Sequence, residues 1–407
     1  MSNFAFGTYR ITNKNPQHIQ ALKEAINSGV KLIDTSSNYM DGDAELAIAE
    51  VMKTFDDDIR KSVEIVTKFG YIQGSNLLLH KDEPFEDVIE YTSDCFYSIS
   101  GSFMRDQLSR SLARLELSTI DCYLIHNPEY YIYDGLNKNE PIDEILDRMY
   151  DRIYDAFVAL EEEVKKGTIK SYGISSNSFS KPSNHPEFLP YEDLITLADR
   201  AAKYVKNTKH NFTTIELPIN ILETDGLKCA SWAKQNGLRV LSNRPFNAQY
   251  NDMMFRLADY DESVNYYHYL NELLEVSDNK ELKTLFNLVR QLDENKHKYG
   301  WIGDYESFLY AQIIPHIKKT LEHIDEQHLE VLLRYIDMFL VEYKKMVAYE
   351  CSKSTRIQLK NEFLECDRSL QECALKFLIQ IQNIDYILIG MRKSSYVQDV
   401  VDIFSTY

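Results

Sequence analysis

Four ionisable side chains frame the chemistry this chain can do. Asp34 lies in the run KLIDTS (31–36), Tyr39 follows shortly after it, Lys68 lies in VEIVTKFG (63–70) and His126 in IDCYLIHN (120–127). Each falls at, or just beyond, the C-terminal end of a short apolar run. A tyrosine of ordinary pKa, about 10, gives up its proton poorly at neutral pH. A neighbouring ammonium stabilises the phenolate and lowers that pKa, and a carboxylate holds the ammonium charged and oriented. Lys68 and Asp34 have the right chemistry for these two tasks toward Tyr39, while His126 can donate to, or orient, an oxygen. Such a group suits carbonyl reduction: a hydride arriving at a carbonyl carbon leaves an alkoxide that needs a proton. Singly, each residue has a plainer reading as a capping aspartate, a solvated lysine or a hydrogen-bonded core histidine. Composition alone would never select Tyr39 from 28 tyrosines.

The elements that must position these residues repeat along the chain. FAFGTY (4–9), KLIDTS (31–36), VEIVTKFG (63–70), IDCYLIHN (120–127), IKSYGISSN (169–177), FTTIELPIN (212–220), LRVLSNRPFN (238–247) and IDYILIGM (384–391) are strand-like. Amphipathic helical patterns come between and after them, at 17–28, 43–55, 103–115, 156–167, 191–205, 226–237 and 370–382. Gly167, after two lysines, reads as a helix stop. Eight strand-then-helix units predict an α/β fold, a (β/α)8 TIM barrel, whose catalytic groups collect at the C-terminal ends of the strands. One barrel domain over 1–407 is expected. A barrel uses roughly 250 residues, and the largest excess is a helical insertion at 250–368 in the seventh strand-to-helix connection. It contains LKTLFNLVRQL (282–292), SFLYAQIIPHIKKTLEHI (307–324) and HLEVLLRYIDMFLVEYKKMV (328–347), with Leu329, Leu332, Leu333, Ile336, Phe339 and Leu340 forming one apolar stripe. Tyr266, Tyr267 and Tyr269 pack within it or line a lid. Smaller insertions, at 71–102 and 128–150, leave from the same face.

Composition excludes other classes. With 45 basic and 63 acidic residues the net charge is −18, which disfavours nucleic acid as a ligand. The 6 cysteines show neither a disulfide framework nor metal-binding spacing, which fits a reducing cytoplasm. The N-terminal residues lack a signal-peptide pattern, and no apolar run is long enough for a membrane span. The expected location is the cytoplasm.

GVKLIDTSSNYMDGDAEL (29–46), VTKFG (66–70), SLARLELSTIDCYLIHNPE (111–129) and KKGTIKSYGISSN (165–177) together resemble the aldo-keto reductase superfamily, in order and spacing. The resemblance runs over 4–247 with gaps and resumes at 370–407, leaving the helical insertion outside. It implies a (β/α)8 barrel that uses NADPH, less often NADH, to interconvert a carbonyl and an alcohol. The family's catalytic aspartate, tyrosine, lysine and histidine match Asp34, Tyr39, Lys68 and His126.

Neither GxGxxG nor GxxxxGK[ST] is present, so the nucleotide site is not of the Rossmann or P-loop kind. A barrel offers a phosphate site at the loops after strands seven and eight, here SNRPFNA (242–248) and GMRKSSYVQDVV (390–401). Arg392 and Lys393 beside Ser394 can grip a pyrophosphate or the 2′-phosphate of NADPH, or form a solvated basic pair; Ser394 or Ser395 can cap the last helix. Arg244 is a ligand for phosphate or a substrate carboxylate, or half of a structural salt bridge. By the resemblance, Ser175 with Ser176 or Asn177, and Glu216, meet the nicotinamide carboxamide; Thr8 and Gln398 also face the cofactor. Glu216 stands where the family usually has glutamine, either as a carboxylate hydrogen-bonded to the barrel or, protonated, as an amide mimic. Val400 replaces the family's adenine-contacting asparagine, and Tyr396 offers a stacking face instead. The expected activity is NADPH-dependent reduction of a small-molecule aldehyde or ketone, sugar-derived carbonyls included. The rival is a nucleotide-sensing regulatory subunit that docks a protein partner through the insertion.

Overall fold

The computed structural model describes residues 3–251, 253–275, 283–321, 326–362 and 364–407, with 326–328 by their backbone alone. Eight parallel strands close a barrel. They are β1 (Asn3–Gly7), β2 (Leu32–Asp34), β3 (Glu64–Phe69), β4 (Ile120–His126), β5 (Ile169–Ser175), β6 (Phe212–Pro218), β7 (Arg239–Asn243) and β8 (Tyr386–Ile389). Each pairs with its neighbours in sequence, and β8 returns to β1 with Phe6 opposite Ile389. The surrounding helices are α1 (Pro16–Asn27), α2 (Asp43–Met52), α3 (Gly101–Leu115), α4 (Ile142–Lys166), α5 (Leu194–Val205), α6 (Gly226–Gln235), α7 (Leu370–Ile379) and α8 (Ser394–Thr406). The fold is a (β/α)8 barrel with an additional helical region.

Local chemistry explains several boundaries. Asn15 accepts a hydrogen bond from the Gln17 amide at 3.0 Å, capping α1 just before a proline whose missing N–H costs nothing there. Gly167, at φ 83, ends α4 after Lys165 and Lys166. That helix starts well before the expected 156, because Ile145, Met149 and Ile153 continue its buried face N-terminally. The stretch 142–150, expected as part of an insertion, is therefore helix. The 71–102 insertion folds into a small antiparallel sheet of Tyr71–Ile72, Ile89–Thr92 and Cys95–Tyr97 with a helix at Ser75–Asp82.

The chain divides into two compact units, one of 1–245 with 376–407 and one of Phe246–Leu375. The second opens with an antiparallel hairpin, Asn247–Tyr250 with Met253–Arg256, at the start of a stretch read as helical and strand-poor. Its core collects Tyr266, Leu285, Phe286, Ile336, Phe339 and Tyr343. Tyr266 is buried there against Phe339 and Tyr343, so it packs and does not line a lid. Of the expected stripe, Ile336 and Phe339 are buried, Leu329, Leu332 and Leu340 pack against this core, and Leu333 is exposed. The helix expected over 307–324 is broken: Ile302–Phe308 gives way to a wider π-turn at Leu309–Ile313 before Ile314–Leu321. Pro315 accounts for this, since its nitrogen carries no proton and its ring crowds the preceding turn. Leu282, 322–324 and the side chain of His328, also part of the helical readings, lie outside the described residues. Cys366 and Cys373 form one disulfide, which the reading of six cysteines without a disulfide framework did not single out; a spacing of 7 residues gives no sequence signature. No helix among the described residues is long and apolar enough to cross a membrane.

Candidate active site

The alternation of side chains along strands determines which residues reach the barrel's mouth. Leu32, Val66, Leu124 and Leu241 belong to one cluster of buried side chains, together with Ala5, Cys122 and Leu388. Two residues further along each of those four strands, on the same face, stand Asp34, Lys68, His126 and Asn243. In the strand register His126 lies beside Ser175, and Ser175 beside Glu216. Barrel closure thus gathers side chains widely separated in sequence into a single polar layer above an apolar floor.

Lys68 is the hub. It is fully buried, its ammonium is held by the Asp34 carboxylate and donates to the Thr35 carbonyl at 3.1 Å, and Glu216 Oε2 lies 3.3 Å away. A buried charge is retained only with partners of this kind. Its nitrogen is 5.2 Å from the centre of the Tyr39 ring. Burial is the largest influence on Lys68 and favours the neutral amine, but the surrounding anions outweigh it and keep the ammonium charged. Asp34 is raised to about 8, by burial first and then by the Glu216 carboxylate, against the pull of Lys68.

Tyr39 behaves differently from the expectation. Burial raises its pKa above the usual phenol range, and the lowering effect of Lys68 does not overcome it. The resting phenol is therefore firmly protonated. Tyr39 opens a turn in which Met40 (φ 51) and Asp41 (φ 56) are both left-handed, an uncommon arrangement for two successive residues with side chains. Asp41 Oδ1 accepts from the Ser75 amide at 3.0 Å and hydroxyl at 2.8 Å, which clamps that turn. The Tyr39 ring meets His126 edge-on at 5.8 Å. His126 is held well below its ordinary pKa by burial and then by Lys68, so the imidazole is neutral; its Nδ1 is 3.2 Å from Ser36 Oγ.

The residues expected at the cofactor divide into those near this layer and those placed elsewhere. Thr8 is buried and donates to the Asp34 carbonyl at 2.9 Å. Ser175 is buried within the layer. Ser176 donates to Glu129 Oε2 at 2.7 Å, while Asn177 uses its amide N–H on Glu129 Oε1 at 2.9 Å and its side chain on Asn127 at 3.2 Å. Glu216 is the hydrogen-bonded carboxylate of the two alternatives, accepting from Asn243 Nδ2 at 2.9 Å. Arg244 is the salt-bridge alternative, paired with Glu223 at 2.6 Å. Neither Ser394 nor Ser395 caps α8: Lys393, in extended conformation, occupies that place without a side-chain hydrogen bond, and Ser394 interacts with Glu24. Gln398 donates to Asp402 at 2.8 Å, and Tyr396 is exposed on the same helix. Arg392 lines a cavity of about 470 Å³ beside Tyr39.

The sequence reading missed Asn243, Glu129 and Asn127. Asn243 had a signal, standing two positions beyond interior Leu241 as His126 stands beyond Leu124. Glu129 had none, because its importance comes from a neighbouring strand's loop.

A model of the aldo/keto reductase family matches residues 3–245. Among solved structures, the chain is similar to the aldo-keto reductase AKR11C1 from Bacillus halodurans in its holo form, at 15% identity and a TM-score of 0.50, over 99% of this chain and 86% of that one. The glycerol dehydrogenase AKR11B4 from Gluconobacter oxydans gives 14% and 0.48, over 98% and 86%. An aldo/keto reductase from Klebsiella pneumoniae in complex with NADP and acetate gives 20% and 0.38, over 60% and 64%. The first of these likenesses concerns the fold alone. The matched segment contains strands β1 to β7 and all four residues gathered around Lys68, and on that match the chain belongs to the aldo/keto reductase family of oxidoreductases.

Proposed function

We propose that this protein reduces an aldehyde or ketone to an alcohol, with NADPH rather than NADH as hydride source and Tyr39 as proton donor. The observation that carries the reading is the buried Lys68 hub, which joins Asp34 and Tyr39 at the barrel mouth beside an open cavity. The residues present suit such a cofactor. Asn243 Oδ1 is a buried acceptor with no hydrogen-bond partner among the described residues, and a carboxamide N–H is the kind of donor it lacks. Lys393 stands before the uncapped first turn of α8, where cationic charge and free amide N–H groups suit phosphate. Asn243 would hold the carboxamide end and Lys393 with α8 the phosphate end.

When bound, a reduced nicotinamide supplies a hydride to the carbonyl carbon. As the carbonyl π bond breaks, Tyr39 gives its phenolic proton to the developing alkoxide, a far stronger base than phenolate. Lys68 stabilises the phenolate formed, and Asp34 holds Lys68 in place. His126, neutral throughout, packs against the Tyr39 ring beside the same oxygen, with Ser36 fixing its orientation. Water returns the proton to Tyr39.

The test is NADPH oxidation followed by absorbance over a panel of aldehydes and sugars, comparing wild type with Tyr39→Phe. The expected result is turnover that falls by a factor of about 100 to 10,000 in the variant while NADPH binding persists. Tight NADPH binding with no turnover by either form would overturn the reading.

A further inference from the structure

The polar layer at the barrel mouth carries more negative than positive charge. Asp34 and Glu216 bring two carboxylates to one ammonium, Lys68, which the Asp34 carboxylate and the Thr35 carbonyl already engage. The other titratable groups facing them add nothing positive: burial keeps the Tyr39 phenol protonated, and His126 is neutral. Arg244, the residue after Asn243, is taken by Glu223 at 2.6 Å. A surplus anion in a buried place is unfavourable unless a cation meets it. A proton on Asp34 meets it up to about pH 8.

Glu216 also stands beside an acceptor that lacks a donor. Its Oε1 accepts from Asn243 Nδ2 at 2.9 Å, which fixes the direction of that side-chain amide. Asn243 Oδ1 is thereby left buried with no hydrogen-bond partner among the described residues. An orphaned acceptor is satisfied by an N–H donor, and a surplus carboxylate by positive charge. One ligand group answers both needs: a planar cation bearing a carboxamide, which is the ring of an oxidised nicotinamide. The reduced ring has the same carboxamide but no charge, so it answers only the first.

We propose that Glu216 makes this site charge-selective, holding the oxidised cofactor NADP+ more tightly than NADPH, so that carbonyl reduction slows as NADP+ accumulates. The assignment rests on the nicotinamide part of the reductase reading and does not depend on turnover. It gives Glu216 a task that an uncharged side chain of the same shape cannot perform.

The test is a calorimetric measurement of Kd for NADP+, NADPH and adenosine 2′,5′-bisphosphate, which has no nicotinamide, at pH 9, where Asp34 has largely released its proton. Wild type is expected to bind NADP+ roughly tenfold or more tightly than NADPH. In Glu216→Gln that preference is expected to fall about tenfold, with binding of the bisphosphate unchanged. Product inhibition of carbonyl reduction by NADP+ should weaken in the same variant. Equal or tighter binding of NADPH by wild type overturns the proposal, and that comparison requires no variant to fold. Equal losses of affinity for NADP+ and NADPH in Glu216→Gln also overturn it, because Glu216 would then serve the carboxamide alone. If no carbonyl is reduced, a preference for NADP+ that disappears in Glu216→Gln sustains this proposal while the reductase reading falls. Absence of nucleotide binding to wild type ends both.

Discussion

Lys68 carries a second carboxylate: Glu216 Oε2 lies 3.3 Å from the ammonium that Asp34 already holds. The family's usual glutamine would leave that ammonium with one anion. With two, the buried cluster is short of positive charge, which adds to burial, the larger cause, in raising Asp34 to about 8. The folded protein therefore binds a proton on Asp34 more readily than the unfolded chain does, so stability from this group falls as pH rises from about 4 to 8. Glu216→Gln removes the carboxylate that raises Asp34. Its melting temperature relative to wild type is expected to climb across that interval, and the midpoint of its kcat profile to move down by roughly one unit. A constant difference in melting temperature, with superimposable rate profiles, would contradict the two-carboxylate account.

His126 titrates in the opposite sense. Burial and then Lys68 hold it well below its ordinary value, so the folded chain binds this proton less readily than the unfolded one. The stability it contributes is complete above pH 6.5 and is lost as pH falls below it. Wild type should therefore lose melting temperature between pH 7 and 5 faster than His126→Gln does. Ser36→Ala removes the hydroxyl at Nδ1 and frees the ring to rotate. A fall in kcat of roughly tenfold, with an unchanged KM for NADPH, is expected from losing an orienting hydrogen bond of this kind.

Much of this site was legible because strand alternation is a strict rule. Asp34, Lys68 and His126 each follow an interior apolar residue by two positions, and a barrel must bring such positions together. The turn carrying Tyr39 was not legible, since nothing local announces successive left-handed residues at Met40 and Asp41. Its geometry depends on Ser75, far away in sequence. The same limit hid the role of Glu129, which shows only when β4 and β5 lie side by side, and the real start of α4, whose apolar spacing continues through a segment rich in charge. The direction of the Tyr39 shift was misread because type and spacing identify the neighbouring ammonium but not the burial that outweighs it.

The clamp on that turn makes its own prediction. Left-handed backbone costs about 1–2 kcal/mol per residue with a side chain, and the two hydrogen bonds from Ser75 to Asp41 offset part of it. Asp41→Ala should lower stability by about 1–2 kcal/mol and reduce kcat more than it alters the KM for NADPH, because Tyr39 loses its fixed approach to Lys68. Asp41→Asn keeps an acceptor oxygen and tolerates the left-handed region, so it should recover most of both losses. If Asp41→Ala destabilises the fold without touching kcat, the clamp holds the loop but not the phenol.

Glu129 supplies the last prediction. It is buried, raised to about 7 by desolvation, and it occupies the Ser176 hydroxyl and the Asn177 amide, groups that the family resemblance assigns to the carboxamide. A carboxyl of raised pKa stabilises the fold fully at low pH, and that contribution is lost as pH rises from about 4.5 through 7. Glu129→Gln cannot ionise, so its melting temperature relative to wild type should rise over that window. It can still accept from Ser176, whereas Glu129→Ala leaves both donors without their partner in a buried place. The KM for NADPH should therefore rise several-fold in Glu129→Ala and stay near wild type in Glu129→Gln. Equal KM values in all three proteins would show that Ser176 and Asn177 only brace the loop, leaving the carboxamide end to Asn243.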